Sequence, residues 1–308
     1  MTEPLRYATG RDLLAAVKAR AADQARRQAV PIQQVIRQFV YDRLLARLFH
    51  DPSAPWVLKG GNALMTREPD SARASLDLDL AARRAQQRLD SLLHDLENAA
   101  ALDIGDHFRF VIVGRREHQG DTQPNVVGYQ LTIDAYCGIK KVVTVTIDLV
   151  TGTLITGTPE GVARSTLAID GLDPVVVTVY PMCDHIADKV CATAETHGPL
   201  GRASSRVRDL VDLVVIAVTQ TVDADGLSRA IRLEWRHRGL PGTPAFDPPR
   251  DWAAGYAGLA RRTPGCANFM TFEDAVHFVG KDFLGSVLAG QAGGQTWDPT
   301  GGIWSGPR

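Results

Sequence analysis

Two aspartates separated by one residue occur in the N-terminal half of the chain, in the run Ser75-Leu76-Asp77-Leu78-Asp79-Leu80. In a β-strand alternate side chains share a face, so Ser75, Asp77 and Asp79 would point one way and the leucines the other. Neighbouring carboxylates repel each other unless a cation lies between them. Mg²⁺ prefers one or two carboxylates and leaves its other positions to water and substrate phosphates. The run therefore predicts a strand that presents a metal site over a hydrophobic floor.

A pair of glycines precedes this strand, in the sequence Lys59-Gly60-Gly61-Asn62 after the apolar run that begins at Trp56. Glycines allow the backbone to approach a phosphate closely, and successive N–H groups at a turn that enters a helix bind anions. We expect that helix to begin at Ala63. The pair therefore predicts a phosphate-binding turn beside the two aspartates.

A third carboxylate occurs later, because Asp148 is the only acid in the apolar strand predicted over residues 141–150. A carboxylate that interrupts such a run needs a partner or a chemical role. Alternatively, Asp148 lies where the end of the strand meets solvent, which would explain its charge equally well. The residue is therefore a candidate for the same site.

Two more acids, Asp209 and Asp212, lie three residues apart on the apolar helix predicted over residues 207–219. Buried helices seldom carry two unpaired acids. We expect one of them to pair with Arg208, with Lys189 or with a metal-bound group, while a role at the helix start is the alternative for Asp209. Lys189 lies on another predicted helix. Alternatively, it is an ordinary lysine on the exposed face of that helix.

The apolar periodicity predicts the elements that would position these residues. Helices are expected within 12–50 with a break near Pro31, and over 85–100, 184–197, 207–219, 225–238, 251–262 and 271–288, with strands over 108–116, 125–137, 141–150 and 175–180 and a loop over 114–128. We expect two domains, 1–180 and 181–308, and a C-terminal tail that is either loosely ordered or held by Trp297 and Trp304.

Composition limits the function classes. With 34 Lys plus Arg against 35 Asp plus Glu, the net charge of -1 argues against a protein that coats nucleic acid indiscriminately, but it allows a local basic groove. The four cysteines show no zinc-site spacing and are expected to be structural thiols in a reducing compartment. The first residues lack the apolar core of a signal peptide, and no run of about 18 apolar residues occurs. We expect a cytoplasmic protein that does not bind membranes.

The ordered set of Lys59-Gly60-Gly61, the Ser75–Asp79 run, Asp148, Lys189 and Arg208-Asp209 resembles the AbiEii/AbiGii family of nucleotidyltransferase toxins, in particular its mycobacterial MenT-like members. The resemblance covers roughly residues 30–220. It implies a mixed α+β fold, with the core sheet of the DNA polymerase β-like nucleotidyltransferase superfamily flanked by helices and a mostly helical C-terminal subdomain.

The resemblance also implies roles for individual residues. Asp77, Asp79 and Asp148 would be catalytic ligands of Mg²⁺, or of Mn²⁺, and Lys189 and Asp209 would complete the catalytic set. The nucleotide-binding residues implied are Lys59, Gly60, Gly61, Asn62, Ser75 and Arg208. Asn62 departs from the Ser or Thr that the family usually has after the glycines, which leaves the nucleotide preference open.

The function implied by the resemblance is that of a toxin from a toxin–antitoxin system. Such a toxin would transfer nucleotides from a nucleoside triphosphate to RNA, at the 3′ end of tRNA, and so block aminoacylation and translation, with a cognate antitoxin as partner. Two alternatives remain: nucleotidyl or phosphoryl transfer to a protein acceptor, and a nucleotide-binding regulatory module without turnover. The presence of Asp77, Asp79 and Asp148 together argues against the regulatory module.

Overall fold

The computed structural model describes residues 6–119, 126–197 and 202–306, and helices pack there against a central mixed sheet. The α-helices are α1 Gly10–Gln28, α2 Ile32–Leu48, α3 Gly60–Arg67, α4 Leu89–Ala100, α5 Met182–Ala194, α6 Val207–Thr219, α7 Ala224–His237, α8 Ala253–Ala260, α9 Phe272–His277 and α10 Gly285–Leu288. Short 3₁₀-helices cover Arg250–Trp252 and Pro264–Cys266, and a π-helix covers Phe278–Phe283.

The strands are β1 Trp56–Lys59, β2 Asp77–Ala82, β3 Phe108–Gln119, β4 Val127–Cys137, β5 Lys140–Thr151, β6 Glu160–Arg164, β7 Val175–Val179, β8 Thr196–His197, β9 Arg202–Ala203, β10 Val222–Asp223, β11 Thr296–Asp298 and β12 Ile303–Ser305. Seven of them form one sheet in the order β3-β4-β5-β2-β1-β7-β6. The pairs β2–β5 and β1–β7 are parallel and the other neighbours are antiparallel. This mixed sheet with flanking helices confirms the predicted α+β class.

The hydrophobic side chains form two large clusters. The first contains apolar side chains of α1, α2 and α4 together with those of the seven-stranded sheet. The second is built mainly from α5 to α10 and also takes Leu64 from α3 and Ala72 from the chain after it. The C-terminal part is therefore mostly helical, and the division of the chain at residue 180 stays a prediction. No helix in the described ranges has the length and apolar character needed to cross a membrane.

The C-terminal tail is held by its tryptophans, which decides between the two predicted alternatives. Strands β10, β11 and β12 form a small antiparallel sheet. The Trp297 indole is fully buried, and its Nε1 donates to the Ala217 carbonyl at 2.7 Å. Trp304 Nε1 donates to the Phe283 carbonyl at 2.8 Å.

Several predicted boundaries were wrong, for physical reasons that the structure provides. β3 continues to Gln119 because it pairs with β4 as far as the partner Val127, so the loop expected from residue 114 does not begin there; residues 120–125 lie outside the described ranges. The unpredicted β6 is a short edge strand on β7. α3 begins at Gly60 rather than at Ala63. Leu76 precedes β2 and is 57% exposed, so it does not contribute to the hydrophobic floor.

A buried ion cluster joins α2 to the chain before β3. Arg47 Nη2 lies 2.6 Å from Asp106 Oδ1, and Arg43 Nε lies 2.9 Å from Asp106 Oδ2. Arg47 Nη2 also donates to the Phe108 carbonyl at 2.7 Å. Burial acts to raise the pKa of Asp106, but hydrogen bonding and charge attraction from the two arginines outweigh it and lower that pKa. The cluster therefore holds α2 against the segment that leads into β3.

We expect Asp106→Ala to lower the free energy of unfolding by about 3–5 kcal/mol, because it leaves two arginines buried without their counterion. The matched control is Asp23→Ala, which removes an exposed ion pair with Arg26 and should cost about 1 kcal/mol or less. Urea denaturation measures both. Equal losses in the two variants would contradict the assignment.

Candidate active site

A cavity of about 970 Å³ lies between the middle of the sheet and helices α5 and α6. Its wall contains ten of the predicted site residues: Lys59, Gly60, Gly61, Ser75, Asp77, Asp79, Asp148, Lys189, Arg208 and Asp209. They come from β1, α3, the chain before β2, β2, β5, α5 and α6. The fold therefore gathers residues separated by up to 150 positions in sequence around one space.

Strand register determines the positions of the acids at the centre of the cavity wall. β2 and β5 are parallel, with Asp79 opposite Asp148 and Asp77 opposite Thr146. Neighbouring strands lie about 4.8 Å apart, so opposite side chains on one face are adjacent. Burial, and then the charges of Asp148 and Asp77, raise the pKa of Asp79 to about 7 against the opposing effect of Lys59. Burial and Asp148 also raise the pKa of Asp77. The cluster therefore favours a bound cation.

The donor set suits a hard divalent ion. The carboxylate oxygens are the ligand type that Mg²⁺ and Mn²⁺ prefer. Burial and, after it, neighbouring carboxylate charge raise the pKa values of Asp79 and Asp77, and a bound divalent ion would neutralise that charge. In the described ranges no three His, Cys, Asp or Glu side chains already converge at metal-binding geometry. Mg²⁺ usually takes only one or two protein carboxylates, with waters and substrate phosphates as the remaining ligands. Asp79 and Asp148 with Asp77 beside them meet that requirement.

The glycine turn approaches these acids so closely that side chains are excluded. Gly60 has φ +64°, and a Cβ on it would overlap the carboxylate of Asp79. A Cβ on Gly61 would lie 2.9 Å from the Cβ of Ser75. The turn leads directly into α3, whose first N–H groups have no partners within the helix. These donors lie in the cavity wall, where they suit a phosphate group.

Lys189 is a buried cation that α5 contributes to the cavity wall, and it is 2% exposed. Its Nζ lies 3.0 Å from Asp209 Oδ1 and 2.7 Å from Asp212 Oδ2. Burial opposes its charge, but Asp209 and Asp212 outweigh this effect and raise the pKa of Lys189. The predicted pairing of these acids is therefore with Lys189 and not with Arg208, and Lys189 is not an exposed helix lysine. Its catalytic role stays a prediction.

Asp212 belongs to a buried cluster of charges behind the cavity wall. Arg73 binds both of its oxygens, with Nε 2.9 Å from Oδ1 and Nη2 2.9 Å from Oδ2. Burial acts to raise the pKa of Asp212, but Lys189 and Arg73 outweigh it and lower that pKa. Arg206, at the start of α6, places its Nε 2.6 Å from Asp209 Oδ2. The cluster holds α5, α6 and the chain before β2 in fixed positions.

Asn62 is the predicted site residue that the structure does not bring to the cavity. Its side chain is fully buried, and Nδ2 donates to the Asp77 carbonyl at 2.7 Å. The structure therefore places the Asn62 side chain against β2, and not in the cavity wall where the contact with nucleotide was expected. Because α3 begins two residues before Asn62, the helix turns this side chain under β2 rather than toward the cavity.

Sequence reasoning missed other side chains that, like Asn62, hold the backbone at the entry to β2. Gln38 Nε2 donates to the Ser75 carbonyl at 2.9 Å, and the Tyr41 hydroxyl donates to the Leu76 carbonyl. With Asn62 they bind three consecutive carbonyls at the entry to β2. The buried Arg164 orients the set, since its Nη2 donates to Gln38 Oε1 at 2.6 Å. Gln38, a polar residue within the apolar stripe of α2, was the available signal in the sequence.

Comparison with known proteins decides the family. The family model described as "Nucleotidyl transferase AbiEii toxin, Type IV TA system" matches residues 43–275, more than half of the chain. The chain belongs to this AbiEii family. As an AbiEii protein it is a nucleotidyltransferase toxin of a type IV toxin–antitoxin system.

The fold is similar to that of a solved nucleotidyltransferase toxin. MenT4, a nucleotidyltransferase toxin from Mycobacterium tuberculosis H37Rv, superposes with a TM-score of 0.52 at 18% identity, covering 90% of this chain and 98% of that one. A putative nucleotidyltransferase from H. pylori gives a TM-score of 0.41 at 16% identity, covering 77% and 88%. A search of the curated proteins finds no match.

We expect Gly60→Ala to abolish nucleotidyl transfer in this AbiEii chain, because the new methyl group displaces the Asp79 carboxylate. Gly239→Ala is the matched control, since Gly239 has φ +65° and a methyl group there would meet no atom within 4 Å. Both variants should lose about 1–2 kcal/mol of stability from backbone strain. Thermal unfolding and transfer assays measure the two effects, and equal activity in both variants would contradict the close approach to Asp79.

The raised pKa of Asp79 predicts a pH-dependent stability in metal-free protein. Between the unfolded value of 3.8 and the folded value of about 7, the folded chain holds a proton that the unfolded chain has lost. The free energy of unfolding therefore falls as pH rises through this window. At pH 8, in chelator, Asp79→Asn should be more stable than wild type by about 1–2 kcal/mol after allowance for screening by cavity water.

At pH 5 the stability difference between wild type and Asp79→Asn should shrink to roughly a third of its value at pH 8, because only the interval from 3.8 to 5 then contributes. Transfer activity should be absent from the variant at both pH values. Asp95→Asn, at an exposed position of α4, controls for the general effect of removing an acid. Urea titrations at the two pH values measure the difference. A stability gain in Asp79→Asn that is the same at pH 5 and pH 8 would rule out the raised pKa as its cause.

Proposed function

We propose that the chain transfers a nucleotide from a nucleoside triphosphate to the 3′-hydroxyl of tRNA, with Mg²⁺, and so blocks aminoacylation. The observation that carries the proposal is the register of Asp79 opposite Asp148, beside the glycine turn and within a cavity of about 970 Å³. Two adjacent acids next to a phosphate-binding turn suit in-line displacement at a phosphate, where catalysis comes mainly from positioning and charge neutralisation.

The triphosphate would lie over the glycine turn. The N–H groups of Gly60 and Gly61, which line the cavity after Lys59, would face its terminal phosphates. Lys189 supplies a positive charge that offsets the charge on the leaving pyrophosphate. Arg208 lines the cavity, and its charge partly opposes the rise in the pKa of Asp77 that burial and Asp148 cause, so it is placed for a phosphate of the nucleotide.

The reaction forms a bond between the acceptor 3′-oxygen and the α-phosphorus, and it breaks the bond from that phosphorus to the oxygen of the β-phosphate. Pyrophosphate leaves, and Asp148 accepts the hydroxyl proton. An Mg²⁺ held by Asp77, Asp79 and Asp148 would supply charge neutralisation at the phosphates. Ser75, beside Gly61, would help to hold the nucleotide.

The choice of RNA as acceptor is supported by the cations of the cavity wall. Arg73, Arg116, Arg206 and Arg208 line it with Lys59 and Lys189, although the chain as a whole has a net charge of -1. Five aspartates share this wall, and Arg73, Arg206 and Lys189 are ion-paired with aspartates. The exposed Arg116 and Arg208 are therefore the cations that a polyanion would meet beside the catalytic acids. Access to tRNA places the toxin in the cytoplasm, and its family implies a cognate antitoxin as partner.

The test incubates purified protein with Mg²⁺, each labelled nucleoside triphosphate in turn, and total tRNA. We expect label in tRNA with wild type, a loss of at least a hundredfold in Asp77→Ala, and no loss in the exposed control Asp95→Ala. Oxidation of the tRNA 3′-terminal diol before the reaction should abolish labelling. Chelation of divalent ions should do the same.

The other outcomes identify the alternatives. Label in a protein acceptor but not in RNA would replace the tRNA proposal with protein modification. Nucleotide binding without any labelled product would favour a regulatory module. Incorporation that is unchanged in Asp77→Ala would refute the assignment of the catalytic acids.

A further inference from the structure

Five residues form one row across the sheet. Arg116 on β3 is opposite Gln130 on β4, Gln130 is opposite Asp148 on β5, Asp148 is opposite Asp79 on β2, and Asp79 is opposite Lys59 on β1. All five side chains line the same cavity. A cation therefore stands at each end of the row, and the two acids stand between them.

The row has a direction because its two ends differ. The Lys59 end adjoins the glycine turn and is occupied by the triphosphate in the proposed function. The Arg116 end lies two strands beyond Asp148, or about 10 Å at ordinary strand spacing. A nucleotide bound over β1 and β2 leaves the cavity over β3 and β4 open for a second substrate.

Hydrogen bonds connect the Arg116 end to the catalytic acid. Arg116 Nη2 donates to Gln130 Oε1 at 3.1 Å, and Gln130 Nε2 donates to Asp148 Oδ1 at 3.1 Å. Arg116 is exposed and has no carboxylate partner in the described part of the chain, unlike Arg73 and Arg206 in the same wall. Its guanidinium is therefore available to an anionic ligand.

We propose that Arg116 binds a phosphodiester of the acceptor RNA next to its 3′-terminal nucleotide, and that Gln130 orients Asp148 toward the terminal hydroxyl. This assignment rests on the proposed function and specifies its acceptor site. With the 3′-hydroxyl at Asp148, the preceding phosphodiester lies farther along the row, toward Arg116. A guanidinium binds phosphate through paired N–H donors, so the contact reads the RNA backbone and not its bases.

Gln130 is a positioning residue, since it contacts Asp148 and Arg116. Its amide donates to one oxygen of Asp148, which fixes the carboxylate and leaves the other oxygen for the hydroxyl proton. Substitution of Gln130 should therefore change turnover, whereas substitution of Arg116 should change acceptor binding.

The experiment compares Arg116→Ala with Arg115→Ala in the full chain. Arg115 is the matched control because it is an exposed neighbour that lies over the Tyr129 ring, outside the cavity wall. The probe for binding is a single-stranded RNA with the sequence of a tRNA acceptor end, followed by fluorescence anisotropy. Nucleotide binding is measured separately with a labelled nucleoside triphosphate and Mg²⁺.

We expect Arg116→Ala to weaken RNA binding and raise the acceptor KM about tenfold, whatever the RNA sequence, without changing nucleotide affinity. The slope of log affinity against log salt should decrease by about 0.7, the value for one lost contact on single-stranded RNA. Arg115→Ala should leave the acceptor KM and the slope unchanged, and Arg116→Lys should restore part of the binding. Gln130→Leu should lower kcat with the acceptor KM unchanged.

The outcomes that would contradict the acceptor site, the proposed function and the role of Gln130 differ from one another. Equal RNA affinity in Arg116→Ala and Arg115→Ala, or a loss of nucleotide affinity in Arg116→Ala, would overturn the acceptor site. RNA binding that depends on Arg116 in a protein that transfers no nucleotide would uphold the site and refute the proposed function. Absence of RNA binding by wild type would overturn the site. An unchanged kcat in Gln130→Leu would remove the positioning role.

Discussion

Repulsion between two carboxylates is the constraint on which the active site depends. The parallel pairing of β2 and β5 places Asp79 opposite Asp148, and a shift of one residue would turn one acid to the other face of the sheet. The surrounding structure holds this unfavourable arrangement in place: the glycine turn leaves room for the Asp79 carboxylate, and Lys59 partly offsets its charge. In the absence of a cation the arrangement lowers the stability of the fold, as is common where a structure is specialised for catalysis.

Sequence patterns predicted the features that depend on local periodicity. The apolar spacing of α6 gave the bounds Val207–Thr219, and the alternation of Asp77 and Asp79 placed both acids in the cavity wall. Asn62 was assigned to the nucleotide by its place in the family motif after the glycines. Periodicity carries no information about which face a short helix presents, so the turn of α3 that points Asn62 away from the cavity was not predicted. The pairing of Gln38 with Arg164 joins residues 126 positions apart, and no local pattern encodes such a contact.

The row that ends at Arg116 illustrates a second limit of sequence reasoning. Arg116 and Gln130 match no motif in the sequence, and Arg116 lay where the predicted strand over 108–116 overlapped the expected loop over 114–128. Their relation to Asp148 arises only from the registers of β3 on β4 and of β4 on β5, which include an irregularity after Ile112. Register depends on hydrogen bonds between strands that are far apart in sequence. The pattern of any one strand therefore does not predict it.

The cluster of Lys189, Asp212 and Arg73 also has a consequence for the timing of synthesis. Arg73 precedes its partner Asp212 by 139 residues, and Lys189 bonds to acids of the later helix α6. A ribosome releases the chain from the N-terminus, so β2 emerges long before the helices that complete the cavity. An incomplete chain lacks one wall of the catalytic centre. The candidate site can therefore be completed only after α6, at residues 207–219 of 308, has been synthesised.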